Sequence, residues 1–569
     1  LSDPYIKSLR WASDRIGDEG IVAYVTNSGY LDGIATDGVR AHLAQDFDAI
    51  YVVDLGGNVR KNPKLSGTTH NVFGIQVGVS IALFVRHAQK ELKRRRAVIR
   101  YVAVGGDWTK ERKWKWLEEK ASIGGVKWRT LKPDARHTWL HDEEAADFGA
   151  FLPVGSKEAK SRDSLDAHAI FRTYSLGVSS NRDSVVYDFV EDRLSKRVSQ
   201  FADDYNSEVS RYQRKKPSAD ELDEFLKTEA IKWSRNLKSE LKRGRFLEFD
   251  RRKIRLVTYR PFTRRFLYLD DIAVDEPAQS RVFAPSGVEH SPAITLSDVG
   301  HRADFASLVV DGVYDLHFCA SSDAFQSFPL YTYDADGGHR RDNVTDWALE
   351  QFRAHYPQAK LTKKDIFHYV YAVLHHPAYR EKYAANLRRE LPRIPFAPDF
   401  AAFARVGEKL AALHTGYEAQ KEFKLKRVET PGVKPDWRVD RMKLSKDKTA
   451  LVYNDALTLE GIPTAAHDYR LGNRSALDWV IDQYRVERDA TGEVTSDPNR
   501  ADDEDYIVRL VGQVITGSVE TMKIIGALPS LDAAKPGGPE SKEGGYSQAE
   551  LDAAHVYVAE KPAEVAPGV

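Results

Sequence analysis

One cysteine, two methionines and no net charge are conspicuous shortages in a chain of 569 residues. The single thiol, Cys319, excludes a disulfide framework and any cysteine-rich zinc site, and suits a reducing compartment. It lies in an apolar context and reads as a small buried hydrophobe. Lysine plus arginine number 84, as do aspartate plus glutamate. Overall charge therefore argues neither for nor against nucleic acid; only local clusters can. No apolar run approaches the ~18 residues of a membrane span, and no secretory pattern opens the chain. The expectation is a cytoplasmic protein with no membrane partner. The methionines are Met442 and Met522, and Leu1 already stands inside a helical pattern. On that ground the chain reads as a fragment, with an N-terminal part expected before it.

What is present has the texture of more than one domain, as a chain of this length requires. "DPYIKSLRWASDRI" (3–16) has helical spacing, with Asp3-Pro4 as its start signal. "IVAYVT" (21–26) and "DAIYVVDL" (48–55) are short apolar strands around a second helix, "DGVRAHLAQDF" (37–47). "GIQVGVSIALFV" then follows without an intervening helix, so it should pair antiparallel with its predecessor. Strands apolar on both faces, alternating with helices, predict half of a doubly wound α/β sheet. After the basic "KELKRRR" come "VIRYVAV" and a helix over "DWTKERKWKWLEEKA", and from about 130 onward short aromatic-rich strands and basic helices predominate. Residues 218–245 predict one helix, capped by Ser218 with Glu221 and stopped by Gly244. "TYRPFTRRFLYLDD" (258–271) predicts a strand pair interrupted by proline, and 365–391 a helix on each side of Pro377. A small β unit near 435–470 and a helix at 475–485 follow. The tail after about 531, rich in Ala, Pro, Gly and Glu, predicts disorder.

A doubly wound sheet binds its ligand at the carboxyl ends of its strands. Here those ends are "TNSGYLDG" and "DLGGNVRKNPK", in which Asn27, Ser28 and Asn58 offer short polar groups. Ordinary turn chemistry explains the same residues. Phe73 opens the third strand behind a loop carrying Arg60, Lys61 and Lys64. It is either a core ring or one able to stack on a planar base, worth about 1–3 kcal/mol. Arg260, Arg264 and Arg265 beside Phe262 and Tyr268 form the densest basic and aromatic cluster, followed by Asn181 and Arg182. Such clusters can hold an anionic partner, with a solvated or salt-bridged surface as the alternative for each. His368, His375 and His376 do not bring three ligands to one point, so helix packing accounts for them better than a metal.

The order "GIVAYVTNSGYL", "GVRAHLAQDFDAIYVVDLG", "NVFGIQVGVSIALF" resembles the rear half of the DNA amino-methyltransferases that modify adenine. The longer stretches "DLGGN…NVFGIQVGV", "SNRDSVVYDF", "YRPFTRRFLY", "DLHF…FPLYTY", "YVYAVLHHPAYREKYAANLRRELPRIPF" and "LDWVIDQYRV…DPN" resemble type ISP restriction–modification enzymes over about residues 1–525. Those single chains carry nuclease, helicase-like motor, methyltransferase and target-recognition domain in that order.

The resemblance implies a Rossmann-like α/β fold, as the C-terminal half of a methyltransferase sheet, followed by a mixed α+β target-recognition domain. The expected division is 1–90 for the half sheet, 91–135 for a basic connector, 136–430 and 431–530 for the two lobes of target recognition, and 531–569 for the tail. Phe73, with Asn27, Ser28 and Tyr30, is implied to wall the pocket of a flipped-out adenine. Double-stranded DNA is the expected partner, contacted by Arg60, Lys61, Lys64, Asn181, Arg182, Arg260, Arg264 and Arg265. The parent enzyme would use S-adenosyl-L-methionine as methyl donor and carry type ISP endonuclease activity. This chain has neither the Gly-rich cofactor loop, nor Asn-Pro-Pro-Tyr, nor a Walker-type loop, so alone it is expected to be inactive. Two alternatives stay open: a standalone specificity subunit, and the methyltransferase of a non-cleaving phage-exclusion system.

Overall fold

A computed structural model describes residues 3–531, except 59–69, 89–95, 106–107, 135–136, 141–145, 157–167, 216, 219, 229–230, 278–282, 286, 289, 320–322 and 335. The tail and the loop bearing Arg60, Lys61 and Lys64 lie outside the described residues, as does most of the basic run at 90–96.

Helix α1 (Pro4–Arg15) starts where Asp3 accepts from the Tyr5 N–H and Pro4 presets the first turn. It leads into β1 (Gly20–Asn27), α2 (Asp37–Asp46), β2 (Ala49–Gly56) and β3 (Val79–Arg86). Strand β3 pairs antiparallel with both β1 and β2, and β4 (Val98–Ala103) runs parallel to β2. After α3 (Lys110–Lys120), β5 (Arg129–Leu131) closes the order β1-β3-β2-β4-β5. Residues 91–135, read from sequence as a basic connector, thus supply β4, α3 and β5 to the sheet itself. Alternation sorts the side chains. Leu9, Val22, Leu43, Phe47, Ile50 and Phe84 form a core on one face. On the other, Trp116 and Leu117 of α3 cover Val53 and Ile81. Strand β1 is the sheet's edge, and Ile21 and Val25 on it are exposed.

The remainder is a set of small sheets and helices around three further cores. The longest helix is α4 (Glu191–Lys215), whose stripe from Leu194 to Val209 is buried. The segment 218–245 departs from the single helix that its periodicity predicts. It forms one helical turn, Leu222–Phe225, and a separate helix α5 (Arg235–Lys242), capped by Ser234, with the described residues between them not helical. Only half of the expected capping box forms, the Ser218 N–H donating to Glu221. Leu222, Leu226, Leu237 and Leu241 are nonetheless all buried. Burial in the core containing α4 overrides the local periodicity.

Strands β6 (Ile254–Arg260) and β7 (Thr263–Tyr268) form the hairpin expected around Pro261. Strands β8 (Pro292–Ser297), β9 (Ser307–Asp311) and β10 (Phe325–Pro329) make a second antiparallel sheet. Helix α6 (Lys363–His375) is buried continuously from Ile366 to His375 and packs on α7 (Phe400–Thr415). A four-stranded sheet within 426–460 and helix α8 (Ala476–Gln483) precede α9 (Tyr506–Gly526), which closes the fold.

Buried histidines tie these helices together. On α7, His414 shares hydrogen bonds with Tyr371 Oη at 2.6 Å and Thr521 Oγ1 at 2.9 Å. Burial, reinforced by the charge of Arg380, pushes its pKa down to about 3. The folded chain therefore keeps His414 neutral while the unfolded chain protonates it below about pH 6.5. The stability this neutrality provides is full above that pH and falls by about 1.4 kcal/mol per unit on acidification. Urea denaturation between pH 7 and pH 5 should show that slope, and His414→Gln should lack its share of it. An unchanged slope in the variant would contradict a neutral His414.

Candidate nucleic-acid interface

The loop after β1 is held from below. Arg40 on α2 is fully buried and donates to the carbonyls of Tyr30 and Gly33, to Thr36 Oγ1 and, through Nε, to His137 O. Burial lowers its pKa, yet four oxygens solvate the cation where water cannot. Asn27 Oδ1 accepts from Gly29 N–H at 2.8 Å, and Ser28 N–H donates to Gly78 O at 2.9 Å. The loop after β1 and the entrance to β3 are thereby joined at one end of the sheet.

That end faces a cleft of about 880 Å³. Asn27, Asp32, Asn58 and Val77 line one side; Val299, Arg302, Arg388 and Arg389 are among the residues on the other. The far wall is the turn between β8 and β9. Asp323 organises it by accepting from the N–H groups of Arg302 and Ala303 and from Arg302 Nε. Burial alone would raise the Asp323 pKa, but those backbone N–H groups and the guanidinium outweigh it and hold the carboxylate below its ordinary range. Burial also pushes His301 down, toward the neutral imidazole. Gly300 N–H reaches Arg388 O at 2.8 Å, and Arg389 bonds Asp134 at 2.7 Å. The lining carries three arginines and four aspartates, so the cleft is polar rather than a basic groove.

Of the residues expected at a base pocket, Asn27 lines the cleft and Ser28 sits beside it over Gly78. Phe73 is 64% exposed on the loop entering β3. Tyr30 is a correction. It is 1% exposed, packed edge-on against Trp139 at 6.0 Å, and belongs to the sheet's core. A large ring one turn from a strand end is drawn under the sheet, while the small polar residues before it remain at the rim.

The arginines expected to face DNA are placed differently. Arg182 is 3% exposed and bonds Asp275 at 2.7 Å, Ala273 O and Ser234 Oγ; Asn181 Nδ2 meets the same carboxylate. Arg265 is buried over the rings of Phe189 and Tyr259, each at 4.4 Å. Arg260 bonds Asp315 at 2.5 Å, and Tyr187 Oη donates to the other oxygen of that carboxylate. Among the described arginines of that set, only Arg264, ion-paired with Glu418 at 3.2 Å, keeps a third of its side chain in solvent. Sequence composition marks a cation beside aromatics, but it does not say whether the rings cover the cation or present it. Here they cover it. "SNRDSVVYDF", "YRPFTRRFLY" and "DLHF" meet in this network through Tyr187, Arg260 and Asp315. The residues that shape the cleft, Arg40, Arg302, Asp323 and Arg388, carried no local signal beyond single charges.

None of the curated proteins compared with this chain matches it. Solved structures do. The chain shares 35% identity and a TM-score of 0.82 with DrdV in a cryo-EM complex with DNA, over 93% of this chain and 52% of that one. It shares 29% and 0.82 with a nuclease-deletion mutant of the type ISP restriction–modification enzyme LlaGI in complex with a DNA substrate mimic, over 94% and 48%. With the ATP-dependent type ISP enzyme LlaBIII bound to DNA the values are 26% and 0.81, over 94% and 34%. The chain thus spans about half or less of these proteins. Residues 169–510 match the family model of the type ISP C-terminal specificity domain. With the specificity domain covering most of its length and its whole described fold shared with these enzymes, the chain belongs to the type ISP restriction–modification family.

Proposed function

We propose that this chain supplies DNA target recognition to a type ISP restriction–modification enzyme, and that its five-stranded sheet is the rear half of that enzyme's adenine-specific methyltransferase domain. The cleft carries this reading: it sets the strand-end loops of the sheet directly opposite a turn of the specificity domain. Relatives of the same fold are bound to DNA. A duplex lying there would have base edges against the polar turn at 298–304, and an extruded base could meet the exposed ring of Phe73. In the complete enzyme S-adenosyl-L-methionine would supply the methyl group. The Gly-rich loop and the Asn-Pro-Pro-Tyr expected at its main binding site do not occur in this sequence.

Because the described lining has no excess of arginines over aspartates, affinity for phosphates must draw on cations outside it, and Arg60, Lys61 and Lys64 lie shortly after Asn58 in the chain. The test is fluorescence anisotropy of a labelled duplex across a salt series. Binding should weaken linearly in log–log form with a slope of about −0.9 per neutralised phosphate. Replacing the three cations together by glutamine should flatten that slope. Absence of duplex binding at low salt, with the chain folded, would refute the reading.

A further inference from the structure

Phe73 is a large apolar side chain left in solvent, and the loop beneath it is bonded with unusual completeness. Asn71 is 1% exposed. Its Oδ1 accepts from the N–H groups of Phe73 at 3.0 Å and Ile75 at 3.3 Å. Its Nδ2 donates to Gly57 O at 3.1 Å and Val77 O at 2.7 Å. One carboxamide therefore clamps both limbs of the loop and ties it to the end of β2. Behind it, the ammonium of Lys113, on α3 and 0% exposed, donates to His70 O at 2.5 Å, and His70 Nδ1 lies 3.3 Å from Trp108 O. Gly57 has φ +75°, and a Cβ there would stand 2.8 Å from His70 O and 2.9 Å from Asn71 Cα, so the loop rests directly on its backbone. A buried lysine is costly unless its charge-assisted bond is needed.

We infer that Asn71 and Lys113 are positioning residues that hold the Phe73 ring outward in one preset orientation for stacking on an extruded base. This rests on the reading of Phe73 as the ring that meets the base. A preset ring adds stacking without the cost of ordering the loop on binding. It also gives α3, read from sequence as a helix within a basic connector, a part in the site.

The experiment uses the whole chain and a duplex carrying 2-aminopurine opposite an abasic site, which supplies an already unpaired base without requiring the recognition sequence. Stacking on Phe73 quenches the probe, and anisotropy of the same duplex measures binding. Phe73→Ala should relieve the quenching, lowering the stacked-to-unstacked ratio about fivefold or more. Asn71→Ala should do the same, with duplex affinity falling no further than in Phe73→Ala, and Lys113→Met, should the asparagine variant misfold, should act in the same direction. The Asn71→Ala/Phe73→Ala double variant should match Phe73→Ala alone, because a residue acting through the ring has nothing to add once the ring is gone. If Phe73→Ala relieves the quenching but the other two variants, folded, do not, the positioning roles are overturned. Further loss in the double variant overturns them equally. If Phe73→Ala itself changes nothing, it is the stacking reading that falls.

Discussion

Arg182→Met lowers the unfolding free energy by about 3–5 kcal/mol, the cost of leaving a buried carboxylate without its cation. The side chains of Arg182 and Asp275 are 1% and 5% exposed. Removing the guanidinium strands Asp275 and frees Ala273 O and Ser234 Oγ from their donor. Asn181 and Ser234 would still donate to the Asp275 carboxylate, but neutral donors do not replace a charge. Arg182→Lys should recover little, because one ammonium cannot span three acceptors placed for a fork. Urea unfolding measures the effect. The same variant separates two roles for this arginine. A DNA contact would show as lost duplex affinity at unchanged stability, whereas an interior clamp shows as lost stability. A loss below about 1 kcal/mol would place the pair among those worth little and reopen the surface role.

Gly407→Ala should be as damaging, at about 3 kcal/mol or more, although alanine is the better helix former by about 1 kcal/mol. Gly407 lies within α7 where that helix crosses α6. A Cβ there would fall 1.8 Å from His368 O and 2.5 Å from its carbonyl carbon. Those are backbone atoms in the buried part of α6, so no rotamer change relieves the clash and the helices must part. Parting them opens the largest core, where Tyr369 stacks on Phe400 at 5.1 Å and Phe367 and Phe403 are buried. A lowered melting temperature with weakened near-ultraviolet dichroism is the expected result. Wild-type stability in the variant would mean that the two helices separate far more readily than their packing indicates.

Much of this architecture was legible beforehand. The strands at 21–26 and 48–55, the antiparallel third strand, the hairpin about Pro261, the paired helices about Pro377 and the helix near 475–485 all stand where periodicity and turn residues placed them. The segment 218–245 was misread for a definite reason. Its apolar residues repeat at helical intervals, yet two separate short helices bury the same leucines. Residues 98–131 were read as strand and helix but not as part of the sheet, because β4 joins β2 in parallel and that pairing leaves no local trace.

Local spacing by itself determined which segments are helix or strand and, through long motifs in order, the family. It determined those things because strand and helix periods of two and 3.6 residues are written into neighbouring positions. Only the tertiary structure decided which cations are interior. Arg182 finds Asp275 across 93 positions and Arg260 finds Asp315 across 55. A side chain's partner is chosen by the packing of distant elements, and the free energy of burying a charge depends wholly on that partner. The same holds for Phe73: its apolar ring is ordinary in the sequence, and its exposure on a fully bonded loop exists only once Gly57, Asn71 and Lys113 have been brought together.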